Sequence, residues 1–117
     1  MSYIDNTTPE VKHEIMQRDK LCVYCGKKMI YPYRRDKGNN SATLEHFKEG
    51  TLNREKPFTK DEVAMCCGSC NSSRRQKKLS DWFKKAYCRG QNSENKIINE
   101  DTVAQIVKEY IKRNPEY

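Results

Sequence analysis

Two Cys-x-x-Cys pairs constrain this chain more than any other feature: Cys22-Val-Tyr-Cys25 and Cys67-Gly-Ser-Cys70, with 41 residues between them. Each pair can set two thiolates on one side of a tight turn, and four soft thiolates satisfy tetrahedral zinc. The long gap implies that further structure is inserted between the two knuckles. A staple of this kind suits the composition. Only 35 % of the 117 residues are apolar, below the ~45–50 % usual for globular domains, so one small core is expected and two are not. Buried free thiols or a redox pair are the alternatives for the cysteines. Disulfides are not expected, because the opening MSYIDNTTPE has neither the basic n-region nor the apolar h-region of a secretion signal. No apolar run approaches the ~20 residues of a membrane span, so no membrane partner is expected. Cys66 competes with its neighbour as a ligand, but the C-x2-C spacing favours Cys67. Cys88 reads as a small buried apolar residue or a free thiol.

The net charge is +7, and it is unevenly spread. Residues 21–44 carry +4 and residues 63–90 carry +6, while residues 1–20, 45–62 and 91–117 carry −1 each. Each positive block contains one cysteine pair. In the second, Arg74, Arg75, Lys77, Lys78, Lys84, Lys85 and Arg89 face one acid, Asp81. A charge run is most simply a solvated face. Its coincidence with the knuckles favours a surface for a polyanion, and nucleic acid is the expected partner.

Thr8-Pro9-Glu10 reads as N-cap, first-turn proline and first-turn acid, which predicts a helix from about Pro9 to Asp19. Short strands are expected at Met29–Tyr33 and Ala42–Phe47, joined through Arg34–Asn40, followed by a loop over residues 48–61. The stretch from Cys70 to Arg89 holds no Gly or Pro and is expected to be helical, with a break near Ser80-Asp81. Val103, Ile106, Val107, Tyr110 and Ile111 form a helical stripe, predicting an amphipathic helix over about 100–113 that packs on the core. Trp82 and Phe83 are also expected in the core, whereas Tyr31 and Tyr33 could pack or stack on bases. The fold class is α+β, a single domain over 1–117 with its core at about 11–90.

Between the knuckles, Ser41-Ala-Thr-Leu-Glu45-His46 ends on an acid and an imidazole. Regular alternation puts Glu45 and His46 on opposite faces of a strand, although a twisted strand end can bring them to one site. The other histidine, His13, lies in the first helix and reads as surface. Asn71 directly follows Cys70 at the start of the basic helix, where it is either an N-cap or a side chain aimed by the knuckle.

Taken in order, Cys22-Val-Tyr-Cys25-Gly26, Ala42-Thr-Leu-Glu45-His46 and Cys67-Gly-Ser-Cys70-Asn71-Ser-Ser-Arg74 resemble the zinc-stapled HNH endonucleases, across Val11 to Trp82. The resemblance implies a small ββα-metal core held by a four-cysteine zinc site and flanked by N- and C-terminal helices. It further implies DNA phosphodiester hydrolysis giving 5′-phosphate and 3′-hydroxyl ends, with branched DNA or RNA as other substrates and a cytoplasmic location in a bacterium or virus-infected cell. On this pattern His46 is the general base, and Glu45 and Asn71 hold a catalytic Mg2+ or Mn2+. Cys22, Cys25, Cys67 and Cys70 hold the structural Zn2+. Arg74 meets the phosphate backbone, with Arg75, Lys77 and Lys78 beside it. Glu45 stands where the family usually has Asp. The middle asparagine of the family falls on Glu62, and Asn53 lies far from the usual offset. A non-catalytic zinc module that binds DNA or RNA accounts equally well for the charge and the cysteines.

Overall fold

Thr8 caps the first helix, α1 (Pro9–Arg18), by accepting a hydrogen bond from the Val11 amide at 3.2 Å, in a computed structural model that describes residues 6–31, 35–50 and 55–117. At the C-terminal end of α1 the buried Asp19 works as a clasp. It receives Arg18 through two bonds of 2.7 and 2.8 Å and accepts the Met65 amide at 2.9 Å. Arg18 also donates to the carbonyls of Lys60 and Val63. The helix is thereby fixed to the strand that contains Met65.

That strand, β2 (Val63–Cys67), pairs antiparallel with β1 (Ala42–His46) to form a two-stranded sheet. The register sets Ala42 opposite Cys67 and His46 opposite Val63. The expected partner for β1, Met29–Tyr33, is not its strand partner. Ile30 makes a single parallel bridge to Ser41. Pro32 and Tyr33 of that expected strand, with Arg34 and Asn53, lie outside the described residues. All five residues of β2 are buried, so this strand has no polar face and none of the alternation that marks a half-exposed one. Its only trace in the sequence is the short apolar run Val-Ala-Met-Cys-Cys.

β2 passes directly into α2 (Gly68–Arg74), and here the expected long helix ends early. Arg75 takes a positive φ of 54° and terminates it. A short α3 (Leu79–Trp82) and a 3-10 turn at Ala86–Cys88 follow. The early stop has a cause in Arg74, whose buried guanidinium needs carbonyl acceptors. The turn after Arg75 brings the Lys77 carbonyl to 2.9 Å from Arg74 Nε. The last helix, α4 (Gln105–Arg113), starts later than the stripe suggests, because the Ala104 amide is committed to the Val23 carbonyl of the first knuckle at 2.8 Å. Its stripe packs inward as expected, with Val103, Val107 and Tyr110 buried.

The core sits between the sheet, the first knuckle and these C-terminal elements. Trp82, fully buried, meets Tyr24 edge-on at 4.9 Å, and Phe47 packs on Tyr110 at 5.0 Å. Phe83 is buried as expected. Among the described residues, no helix is long and apolar enough to cross a membrane.

At Gly68 the backbone comes so close to Gly38 that a Cβ would overlap the Gly38 carbonyl oxygen, and that neighbour is main chain, not a side chain that can swing aside. Gly68→Ala is expected to cost about 1–3 kcal/mol, the usual cost of overpacking. Denaturant unfolding checks this, the midpoint falling at constant slope.

Candidate functional site

The four predicted ligands converge. Sγ atoms of Cys22, Cys25, Cys67 and Cys70 all lie within 4.8 Å of one another, and all four residues are buried. Local backbone geometry produces each half. In the first knuckle Gly26, at φ +78°, lets its amide return to the Cys22 carbonyl at 2.9 Å, and the Cys25 amide points at Cys22 Sγ at 3.5 Å. In the second, Cys67 closes β2 and caps α2, its Sγ facing the Cys70 amide at 3.4 Å. The Cys25–Cys67 sulfur separation is 3.8 Å. Tetrahedral zinc with Zn–S bonds of ~2.3 Å has S–S edges of about 3.8 Å, so the donor set fits the ion in size and in softness. Four protein sulfurs leave no open position, which is the mark of a structural centre.

Crowding four thiols into this volume splits their titration. Hydrogen bonds from Cys25, Cys67 and Cys70 hold Cys22 far below the ordinary thiol range, while bonding to Cys22 pushes Cys67 and Cys70 up. A bound cation removes that conflict by favouring the thiolate at all four positions. Cys66 is not part of the group. As a neighbour of Cys67 in β2 it faces the other side of the sheet, 3.6 Å from Thr43 Oγ1, and burial pushes its thiol well up. Cys88 is buried, its thiol raised to about 12 by desolvation, as expected for a packing residue.

Glu45 and Arg74 occupy places other than those expected. Arg74 is 1 % exposed, so it cannot grip a phosphate backbone from the surface. It reaches under the sheet and donates from Nη1 to Glu45 Oε2 at 2.9 Å and to the His46 carbonyl at 3.1 Å, and from Nη2 to the Phe47 carbonyl. Glu45, 5 % exposed, also accepts the Tyr24 hydroxyl at 2.6 Å. Burial first, and then the Glu45 charge, push the Tyr24 hydroxyl well above its usual range, which keeps it a donor. The carboxylate is thus the counter-ion of a buried guanidinium. The helical spacing of Asn71 and Arg74, three apart, is the signal that both lie on one face of α2, the face that packs on β1.

His46 ends β1 with its ring tilted against Phe58 at 4.5 Å and Nε2 3.5 Å from Thr7 Oγ1. Alternation sends it to the face opposite Glu45. Thr7 and Phe58 carry no sequence signal for this contact. Asn71 is not a cap, since Cys67 holds that position. Its Nδ2 donates to Thr43 Oγ1 at 2.9 Å and to the Leu44 carbonyl at 3.4 Å, which ties the amide to β1 through its nitrogen. Glu62 accepts the Thr59 amide through Oε1 at 2.9 Å, and its carbonyl takes the Phe47 amide at 3.0 Å, just beyond His46. Arg75 and Lys78 are exposed. Lys77 is half-buried, with Nζ on the Ser73 carbonyl. His13 is exposed, as expected.

No family model, curated protein or solved structure matches the chain. The site is therefore defined by its own residues: a four-cysteine centre able to hold a metal ion such as zinc, in a small α+β fold.

Purified protein should carry one tightly held zinc, and Cys67→Ser should release it and unfold the core, because structural zinc contributes folding free energy directly. Elemental analysis beside circular dichroism checks both. Separately, Arg74→Ala leaves the Glu45 charge buried without its partner and is expected to cost about 3–5 kcal/mol. Adding Glu45→Gln to that variant should restore part of the loss, read from unfolding midpoints.

Proposed function

We propose that this chain is a metal-dependent endonuclease of the ββα-metal kind, acting on DNA phosphodiester bonds with His46 as general base. One arrangement carries the reading. A strand runs out at His46, an antiparallel strand returns to the sulfur centre, and α2 follows without a break, its Asn71 amide bonded back to the His46 strand. An imidazole can take a proton from water near neutral pH. The Asn71 side-chain amide, tied to β1 through Nδ2, has in Oδ1 a hard oxygen donor of the type that Mg2+ or Mn2+ prefers. Glu45 would add a carboxylate only by exchanging Arg74 for the cation. Phosphate contacts then fall to Arg75, Lys77 and Lys78 at the end of α2, and no longer to Arg74.

The closed Glu45–Arg74 pair favours a second reading, a non-catalytic zinc module that binds DNA or RNA through the same basic surface. Incubating supercoiled plasmid with Mg2+, Mn2+ or EDTA separates the two. The nuclease should nick or linearise the plasmid with either ion and do nothing in EDTA. His46→Ala should keep zinc and DNA affinity while cleavage falls by about 10²–10⁴-fold, the usual worth of a positioned general base. Arg75→Ala with Lys78→Ala should weaken binding to unrelated DNA sequences alike and flatten the salt dependence. Wild-type protein that binds DNA and cleaves none of it would leave the binding module as the function.

A further inference from the structure

A side chain from outside the knuckles reaches the sulfur centre. Tyr87, in the 3-10 turn Ala86–Cys88, places its hydroxyl 3.2 Å from Cys70 Sγ and 2.8 Å from Ser69 Oγ. The half-buried ring is held from its inner side and through its neighbours in the chain. The ring stacks on buried Trp82 at 6.0 Å and 24°, the Trp82 indole N–H donates to Ser73 Oγ at 2.9 Å, and the Cys88 carbonyl holds the Ile98 amide at 2.8 Å. Among the described residues, no other sulfur of the four has a hydroxyl partner. Cys22 and Cys67 receive backbone amides, at 3.5 and 3.4 Å.

Proton counting fixes the direction of these bonds. A metal-bound thiolate carries no proton and can only accept. Tyr87 has one proton, which therefore goes to Cys70. Ser69 must then donate to the Tyr87 oxygen, giving a chain from the Ser69 hydroxyl through the Tyr87 hydroxyl to Cys70 Sγ. Linked donors of this kind polarise one another, and a bond to an ionised acceptor is stronger than a neutral one.

We infer that Tyr87 is a positioning residue of the metal centre, which orients the Cys70 thiolate and draws electron density from it, so that the four sulfurs are chemically unequal. The inference rests on the four-cysteine reading of that centre. Cys70 is the protected ligand, fully buried and hydrogen-bonded. Cys25, 8 % exposed where the other three are 2 % exposed or less, is the sulfur at which an electrophile first attacks. The hydroxyl also ties the centre to the segment after α3, so release of the metal loosens a turn that supplies no ligand.

Tyr87→Phe removes the hydroxyl and keeps the ring. With Co2+ as the probe, the sulfur-to-metal charge-transfer bands of this variant should shift to lower energy, because an unbonded thiolate gives up an electron more readily. Zinc affinity should fall by about 10-fold or more, as is usual when a ligand loses its outer hydrogen bond, and a chromogenic chelator should capture the zinc faster. Ser69→Ala should move each readout the same way by less. Tyr117→Phe, whose hydroxyl bonds Glu100 far along the chain, should move none. Wild-type spectra and release rates in both Tyr87→Phe and Ser69→Ala would overturn the inference. If Tyr87→Phe does not fold, Ser69→Ala decides, because it leaves the Trp82 stack in place. A wild-type chain that takes up neither Co2+ nor Zn2+ would overturn the four-cysteine reading itself.

Discussion

The sulfur tetrahedron joins two pieces of chain that the backbone alone holds loosely. Between the first knuckle and β2 runs a bond from the Val23 amide to the Met65 carbonyl, and at 3.4 Å it is at the weak end of the range. Yet that knuckle supports much else. It offers the Val23 carbonyl to the start of α4 and sets Tyr24 between Trp82 and Glu45. A chain with so few apolar residues cannot hold these elements by burial alone, and small scaffolds in that position rely on a metal or a disulfide. An ion held at the centre would convert a marginal contact into a fixed one, and would steady the packing of α4 and α3 with it.

Arg74 organises the polar half of the interior. Its guanidinium collects the carboxylate of Glu45 and three main-chain carbonyls, those of His46, Phe47 and Lys77. The chain on both sides of the His46 peptide is thereby held to α2, and the angle at which β1 presents its last residue depends on a cation nowhere near the surface. In the proposed nuclease this is a device for aiming the imidazole. In the alternative module it is a brace for the sheet. Both use the planar fork of arginine, which a lysine could not reproduce.

Much of this is legible in residue types and spacings. The knuckles, the capped first helix and the stripe of α4 each carry a local signal, because their causes are local: ligand spacing, an N-cap, a 3.6-residue period. Three features are not legible. β2 is buried on both faces, so alternation gives no hint of it, and β1 finds its partner after it in the chain, where the pattern of Met29–Tyr33 points before it. The burial of Arg74 is hidden for a different reason. A basic residue in a basic run looks solvated, and only the tertiary approach of Glu45, Tyr24 and three carbonyls turns it inward. Glu45 and Asn71 both belong to the sheet region, one on β1 and one bonded to it, but the partner that claims Glu45 cannot be read from order along the chain.

The buried pair also limits how a lineage carrying this fold can vary. Glu45 and Arg74 are 29 positions apart, and neither can be exchanged alone without passing through a form with one charge stranded in the interior. Point mutations arrive singly, so that route crosses a fitness valley. Relatives of this chain should therefore keep the acid before the histidine and the arginine after the second knuckle together, or lose them together, even where nothing about their substrates requires it.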